Sequence, residues 1–290
     1  MIESVTQRLF TRTPVDTLYH YTSFSGMLGI IDSGTLRASD IRYMNDSAEL
    51  RHTLDLLGKH ITRRIISGSD NPSLLNQFLD WLSRRIVDGP LLFGASFRAN
   101  GNLLSQWRGY SVHGKGVSLG FDPAHIRECA RRQQFEVGKC LYDPTLQETL
   151  IEKVVQGIED LAGEQGDGGE QGSWHRVFEQ VEGDLLRIAA ILKHPAFEEE
   201  QEWRIVSPAM TDCSHPGIHF REGASMLVPY FGFRMNHGKD AGAPLEHVFL
   251  GPTGNIELSM NSLKLYLHQR RSFPARGLSY CQIPYRQRQS

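Results

Sequence analysis

The feature that most constrains the fold is a change of apolar period along the chain, with no regular alternation between the two periods. After Ser23, a candidate N-cap, Phe24, Met27, Leu28 and Ile31 fall at helical spacing, and Gly34 offers a stop. Asp46 with Glu49 three residues later has the form of a capping box. Leu50, Leu54, Leu57, Ile61 and Ile65 then make one helical stripe, and Leu74, Leu75, Phe78, Leu82 and Ile86 make a second. Leu91 to Phe97 is a short apolar run, and Val117, Leu119 and Phe121 alternate, so both read as strands. Residues 123–192 are mainly helical, with a clear stripe from Trp174 through Leu185 to Leu192. A Gly/Glu/Gln-rich stretch, Gly163–Ser173, predicts a mobile loop within them. Short strands follow from Trp203 to Leu250, then a helix opening near Asn255 and a last strand near Leu278. Helices and strands grouped in this way predict an α+β fold and not a doubly wound α/β one.

Composition narrows the class. With 290 residues and 40% apolar content the chain can bury a sizeable core, and disorder, collagen and coiled coil are excluded. No apolar run approaches the ~20 residues of a membrane helix, and Met1 to Thr13 lacks a signal-peptide core. The expectation is a cytoplasmic protein that does not engage a membrane. Cys129, Cys140, Cys213 and Cys281 stand far apart, so neither a zinc site nor a disulfide framework is written in the sequence. The net charge of −2 hides an asymmetry: Asp143–Glu202 holds 15 acidic and 4 basic residues, whereas Leu258–Ser290 holds 6 basic residues and no acid. That basic segment either meets phosphate or balances the acidic middle of the same molecule.

Three near-motifs fail on chemistry. Gly109 to Gly116 approaches a phosphate-binding loop, but Gly116 replaces the hydroxyl needed after Lys115, and a strand follows instead of a helix. Gly94-Ala-Ser96 lacks the second glycine of a nucleophile elbow. His215 and His219 have a metal-like spacing, but Pro216 and Gly217 prevent the helix that would align them.

Three other segments combine reactive side chains with apolar framing. In Leu18-Tyr-His-Tyr-Thr-Ser23 an extended chain puts Tyr19, Tyr21 and Ser23 on one side and His20 and Thr22 on the other. His20 then has the chemistry to bond a sugar hydroxyl, or else is a core histidine. In Ser105-Gln-Trp-Arg-Gly-Tyr110, Trp107, Arg108 and Tyr110 can stack on a planar ring and clamp a phosphate, or Trp107 is core and Arg108 a surface charge. In Lys193 to Val206, an extended Glu200–Val206 places Glu200, Glu202 and Arg204 on one face. Two carboxylates beside a guanidinium suit glycosyl transfer, in which an anion steadies an oxocarbenium-like centre. The alternative is a solvated acidic run, which fits Glu198 and Glu199 better than Glu202.

These segments carry a resemblance. Tyr19-His-Tyr-Thr-Ser23, Ser33–Asp40, Tyr43–Glu49, Ser96-Phe97, Gln106–Tyr110, Gly116-Val117, Lys193, Phe197, Glu200–Arg204 and Gly251-Pro252 resemble, in order, the bacterial family of unknown function numbered twenty-nine seventy-one. The succession of histidine, aromatic-rich and glutamate segments is also similar to the split NAD site of ADP-ribosyltransferases, especially toxins that modify nucleic acid. That resemblance implies one domain over 1–290, with a core of two small packed sheets and a helical insertion at about 123–192. It implies that His20 binds the adenosine ribose, with Tyr21, Thr22 and Ser23 lining the NAD site and the last two near the nicotinamide. Trp107 or Tyr110 packs on the nicotinamide, Arg108 helps to hold NAD, Glu202 is the catalytic acid and Glu200 its auxiliary. The Ser-Thr-Ser run of many protein-directed members is missing, which argues against a protein-arginine acceptor.

The function these features point to is an NAD-dependent ADP-ribosyltransferase-like effector, an intracellular toxin or phage-defence protein. NAD is then the substrate, no metal is needed, and the acceptor is a macromolecule such as nucleic acid or protein; an antitoxin or other regulatory partner is a further expectation. Glu202→Gln should abolish activity and leave the fold intact. The rivals are an NAD glycohydrolase and a non-catalytic module that senses a nucleotide ligand. A nuclease is disfavoured because no metal-ligating cluster stands out.

Overall fold

A computed structural model describes residues 2–44, 48–110, 116–165, 174–236 and 244–282. The fold is α+β, as the apolar pattern predicts. The helices are α1 (Ile2–Leu9), α2 (Phe24–Ser33), α3 (Ala48–Ile66), α4 (Pro72–Asp88), α5 (Leu104–Tyr110), α6 (Pro123–Arg132), α7 (Pro144–Gln165), α8 (His175–Ile191) and α9 (Ile256–Gln269). The strands are β1 (Leu18–Thr22), β2 (Thr35–Asp40), β3 (Phe93–Arg98), β4 (Val117–Phe121), β5 (Glu136–Lys139), β6 (Glu202–Val206), β7 (Ile218–Glu222), β8 (Leu227–Arg234), β9 (Leu245–Leu250) and β10 (Leu278–Tyr280).

The caps explain why several elements begin and end where they do. Ser23 Oγ accepts from the Gly26 amide at the start of α2, and Gly34 ends that helix in the left-handed region at φ 62°. Asn71 and Asn255 cap α4 and α9 in the same manner. The Asp46–Glu49 capping box lies outside the described residues. The predicted loop divides: Gly163 to Gln165 continue α7, and residues 166–173 lie outside the described set.

The strands join in one hydrogen-bonded network that forks at β3. Along one side β3 pairs with β6 from Gly94↔Val206 to Arg98↔Glu202, and β5 extends this edge. Along its other side β3 meets two strands in succession. Its start pairs with β2, Asp40 opposite Phe93, and its end with β1, Tyr19 opposite Arg98. From the fork one arm runs β1-β4-β9-β10 and the other β2-β8-β7. Two small sheets were expected; the arms are instead continuous through β3, and a single core that includes Leu18, Leu119, Phe97, Leu36 and Phe233 underlies both.

A second core gathers α1, α3, α4, α7 and α8 around Phe78, Ile158 and Phe178. The helical layer thus draws on segments before residue 123 as well as on 123–192, and within the latter β5 belongs to the sheet. Its acidic helix α7 is balanced by α3: Arg63 and Arg64 pair with Glu148 and Glu159 at 2.6 and 2.5 Å. The basic C-terminal segment is partly used elsewhere. Arg270 and Tyr266 both contact Asp32 of α2, at 3.0 and 2.9 Å. Arg286 and Arg288 lie outside the described residues.

Candidate functional site

The fork creates two adjoining recesses that share His20 of β1 and Arg37 of β2. The smaller, about 250 Å³, is also lined by Ser39, Ser96, Arg98, Gln106 and Arg221. Arg37, Arg98 and Arg221 make it cationic, and no carboxylate occurs among its described lining residues. The larger, about 970 Å³, continues past Thr22 and α2 to Arg132, His215, His219, Tyr230 and Arg234. Arg37 stacks over the Tyr230 ring at 5.3 Å. Asp32 is its one described acidic lining residue, and that carboxylate is held by Arg270. The electrostatics of both recesses favour an anionic ligand.

Alternation along β1 sorts the first segment as the sequence predicts. Tyr19 and Tyr21 are buried with Trp107 and Cys281, whereas His20 and Thr22 are half-buried beside the larger recess. His20 Nδ1 lies 3.0 Å from the Ser96 carbonyl. A carbonyl only accepts, so Nδ1 carries the hydrogen and Nε2 of the neutral ring is an acceptor. Burial holds this imidazole below its usual range; the Ser96 carbonyl opposes the shift, and the Arg98 charge adds to it. His20 therefore offers an acceptor suited to a ligand hydroxyl. Ser23 Oγ is occupied at the helix start by Gly26 N and Ser25 Oγ.

The second segment packs inward. Trp107 is 1% exposed, its Nε1 donates to Asn102 Oδ1 at 2.9 Å, and its ring meets Tyr21 edge-on at 4.8 Å. Tyr21 Oη in turn donates to the Asn100 carbonyl and accepts from the Leu103 amide. Neither ring is a free stacking platform in this conformation. Arg108 is exposed on α5, and the Tyr110 side chain lies outside the described set.

The third segment forms a buried ionic cluster. Glu202 opens β6 with no exposed side-chain surface. Its Oε2 accepts from Lys193 Nζ at 2.5 Å and forms an ion pair with Arg98 at 3.2 Å, and its Oε1 accepts from Arg204 Nε at 2.7 Å. Glu200 is not in the strand. It ends a short 3-10 helix, Pro195–Glu200, and Gln201 turns the chain in the left-handed region at φ 42° before β6 begins. The turn nevertheless brings Glu200 Oε2 to 2.6 Å from Arg98 and 2.7 Å from Lys193. Burial opposes ionisation of Glu202, but the charges of Arg204, Arg98 and Lys193 outweigh it and hold the carboxyl well below its usual range. Tyr142 Oη accepts from the Glu202 amide, which ties the cluster to the start of α7.

Arg98 is the residue that sequence reasoning missed. It lines the small recess and contacts both Glu200 and Glu202, so it joins the first and third segments. The available signal was a charged residue closing the otherwise apolar run Phe93–Phe97, two positions from Ser96 and hence on its face of the strand. Among the described residues no group of three or more His, Cys, Asp or Glu is arranged to hold a metal ion, and no helix is long and apolar enough to cross a membrane.

A family model described as a protein of unknown function (DUF2971) matches residues 106–205. That span contains Trp107, Lys193, Glu200 and Glu202 and leaves His20 outside it. No curated protein and no solved structure matches the chain.

Proposed function

We propose that the forked cleft binds NAD and that the protein is an ADP-ribosyltransferase-like enzyme, acting inside the cell as a toxin or phage-defence effector. The observation that carries this reading is the position of Arg98, which lines the small recess together with His20 and holds Glu200 and Glu202 at 2.6 and 3.2 Å. A histidine acceptor, a cationic wall and two carboxylates are the parts that glycosyl transfer from a dinucleotide requires.

In this reading His20 Nε2 accepts from a ribose hydroxyl, and Arg37 and Arg98 offset the pyrophosphate charge. The bond from C1′ to nicotinamide breaks and its electron pair leaves with the nicotinamide. The carboxylate pair steadies the positive C1′ centre, an acceptor nucleophile bonds to it, and the acceptor's proton is released. Arg98 is paired with both carboxylates, so a ligand anion that draws its guanidinium away leaves more of their charge uncompensated, while Lys193 and Arg204 keep Glu202 in place.

The test is incubation of the full chain with NAD labelled on the adenine side, with DNA, RNA or cell extract, reading nicotinamide release and label transfer. His20→Ala and Arg98→Lys should each lower release at least tenfold. Label in a macromolecule would identify the acceptor class, and release without transfer would make the protein a hydrolase. Unchanged release in both variants would sink the assignment.

A second reading, a non-catalytic nucleotide sensor, is favoured by one observation: both oxygens of Glu202 are occupied by cations in a site closed to solvent. Tight binding of NAD or ADP-ribose with no nicotinamide release would select it.

A further inference from the structure

The small recess contains a polar atom that the chemistry above does not use. Gln106 of α5 is 3% exposed and lines the recess, and its Oε1 has no hydrogen-bond partner among the described residues. Buried amide oxygens are seldom left unpaired, so this acceptor calls for a donor. The neighbouring Trp107 is buried and held by Asn102 and Tyr21, which anchors α5 and leaves Gln106 facing the recess.

The surroundings define that donor. Arg37 and Arg221 line the same space without a carboxylate among its described lining residues, and the charge of Arg98 is met by Glu200 and Glu202, so an ammonium group is repelled and a neutral N–H is favoured. The volume of about 250 Å³ lies just under the roughly 300 Å³ at which ligand pockets begin, room for one ring system and not for a dinucleotide.

We propose that Gln106 is a specificity residue that accepts a hydrogen bond from the exocyclic amino group of a planar ring seated in this recess. Its own amide N–H donates to the adjacent acceptor of the same ring, the two-point pairing by which glutamine reads adenine. The proposal rests on the NAD reading only for the source of the ring. NAD carries two such groups, the 6-amino group of adenine and the carboxamide of nicotinamide.

The experiment is titration of the full chain with two matched pairs of neutral compounds: adenosine against purine riboside, and nicotinamide against methyl nicotinate. The second member of each pair lacks the amino group. The wild-type chain should favour the amino compound of one pair at least tenfold, and that pair names the ring. Gln106→Leu should lose this preference, and Gln106→Met, which fills the space of glutamine without its acceptor, should lose it as well. Thermal melts establish that both variants fold, and ADP-ribose or NAD affinity is measured alongside. Equal binding within both pairs, or an unchanged preference in Gln106→Leu, would overturn the proposal and leave an ordered water as the partner of Oε1, whether or not NAD binds. Gln106-dependent binding of one amino compound without any NAD binding would uphold the proposal and remove the NAD reading. No binding of any compound would remove both.

Discussion

Lys193 Nζ stands 2.5 Å from Glu202 Oε2, and neither side chain has any exposed surface. Such a pair is stabilising only as a unit, because each charge is costly to bury alone. Arg98, Arg204 and Glu200 complete the cluster, giving three cations for two carboxylates. Glu202→Gln, expected from the sequence to leave the fold intact, should therefore destabilise it by about 3–5 kcal/mol, as should Lys193→Met. The double variant should cost less than the sum of the two. Urea midpoints with unchanged slopes would check this, and additive costs would show that the two side chains are not coupled.

The same cluster predicts how stability responds to acid. Glu202 has a folded pKa well below its ordinary value, since three cations outweigh its burial. A carboxyl of this kind contributes fully above its unfolded pKa of about 4.3, and the contribution is lost as pH falls through the folded value. Glu202 should add no pH dependence between pH 7 and 5 and a steep loss of stability below about pH 4. Acid titration should give a steeper limb in the wild-type chain than in Glu202→Gln, in which other carboxylates held below their ordinary range, such as Glu128 and Asp212, still titrate.

The first and third segments, and the helices that carry or flank them, were legible because each is local. Ser23 and Gly34 bound α2 through caps within a few residues, and alternation from Tyr19 to Thr22 separated the buried Tyr19 and Tyr21 from the half-buried His20 and Thr22. Glu200 and Glu202 were legible as a pair, but not the route by which they meet. The left-handed turn at Gln201 breaks the strand between them, and a non-glycine residue gives little notice of positive φ. The fork at β3 was not legible, because it depends on pairings between segments more than fifty residues apart. For the same reason Arg98, just past the predicted strand Leu91–Phe97, went unnoticed, and Trp107, whose burial against Tyr21 requires β1 to lie beside α5, read equally as core or as platform.

Tyr21 tests whether that aromatic contact is structural. Its hydroxyl donates to the Asn100 carbonyl at 2.9 Å and accepts from the Leu103 amide at 2.8 Å, closing the loop between β3 and α5. Tyr21→Phe should cost about 1–3 kcal/mol by leaving both loop groups unpaired. Trp107→Ala should cost about 3–5 kcal/mol through the cavity it opens. Chemical denaturation reads both. A Trp107→Ala chain of wild-type stability that fails to bind NAD would instead make the indole a ligand platform.

Two glycines of one segment should respond oppositely to alanine. Gly34 has φ 62°, and a Cβ there would overlap the Asn236 side chain, so Gly34→Ala should cost at least ~1 kcal/mol. Gly29, inside α2, has open space where its Cβ would stand. Gly29→Ala should stabilise the chain by about 0.5–1 kcal/mol through helix propensity and a less flexible unfolded state. Thermal midpoints moving in the same direction would contradict the backbone argument.

His20 gives the sharpest test of the cleft's electrostatics. Burial lowers its folded pKa, with the Arg98 charge contributing, while its unfolded value stays near 6.5. A histidine kept neutral by the fold contributes its stability above about pH 6.5, and that contribution declines as pH falls towards the folded pKa, because the unfolded chain then takes up the proton. An NMR titration should place the His20 midpoint below 6.5, with Nδ1 protonated throughout by virtue of its bond to the Ser96 carbonyl. Arg98→Met should move that midpoint upward, and ligand affinity that depends on Nε2 as an acceptor should hold steady from pH 8 down to about 6.5. A midpoint at or above 6.5 in the wild-type chain would mean that the imidazole is solvated and that the recess is not the low-dielectric site its lining describes.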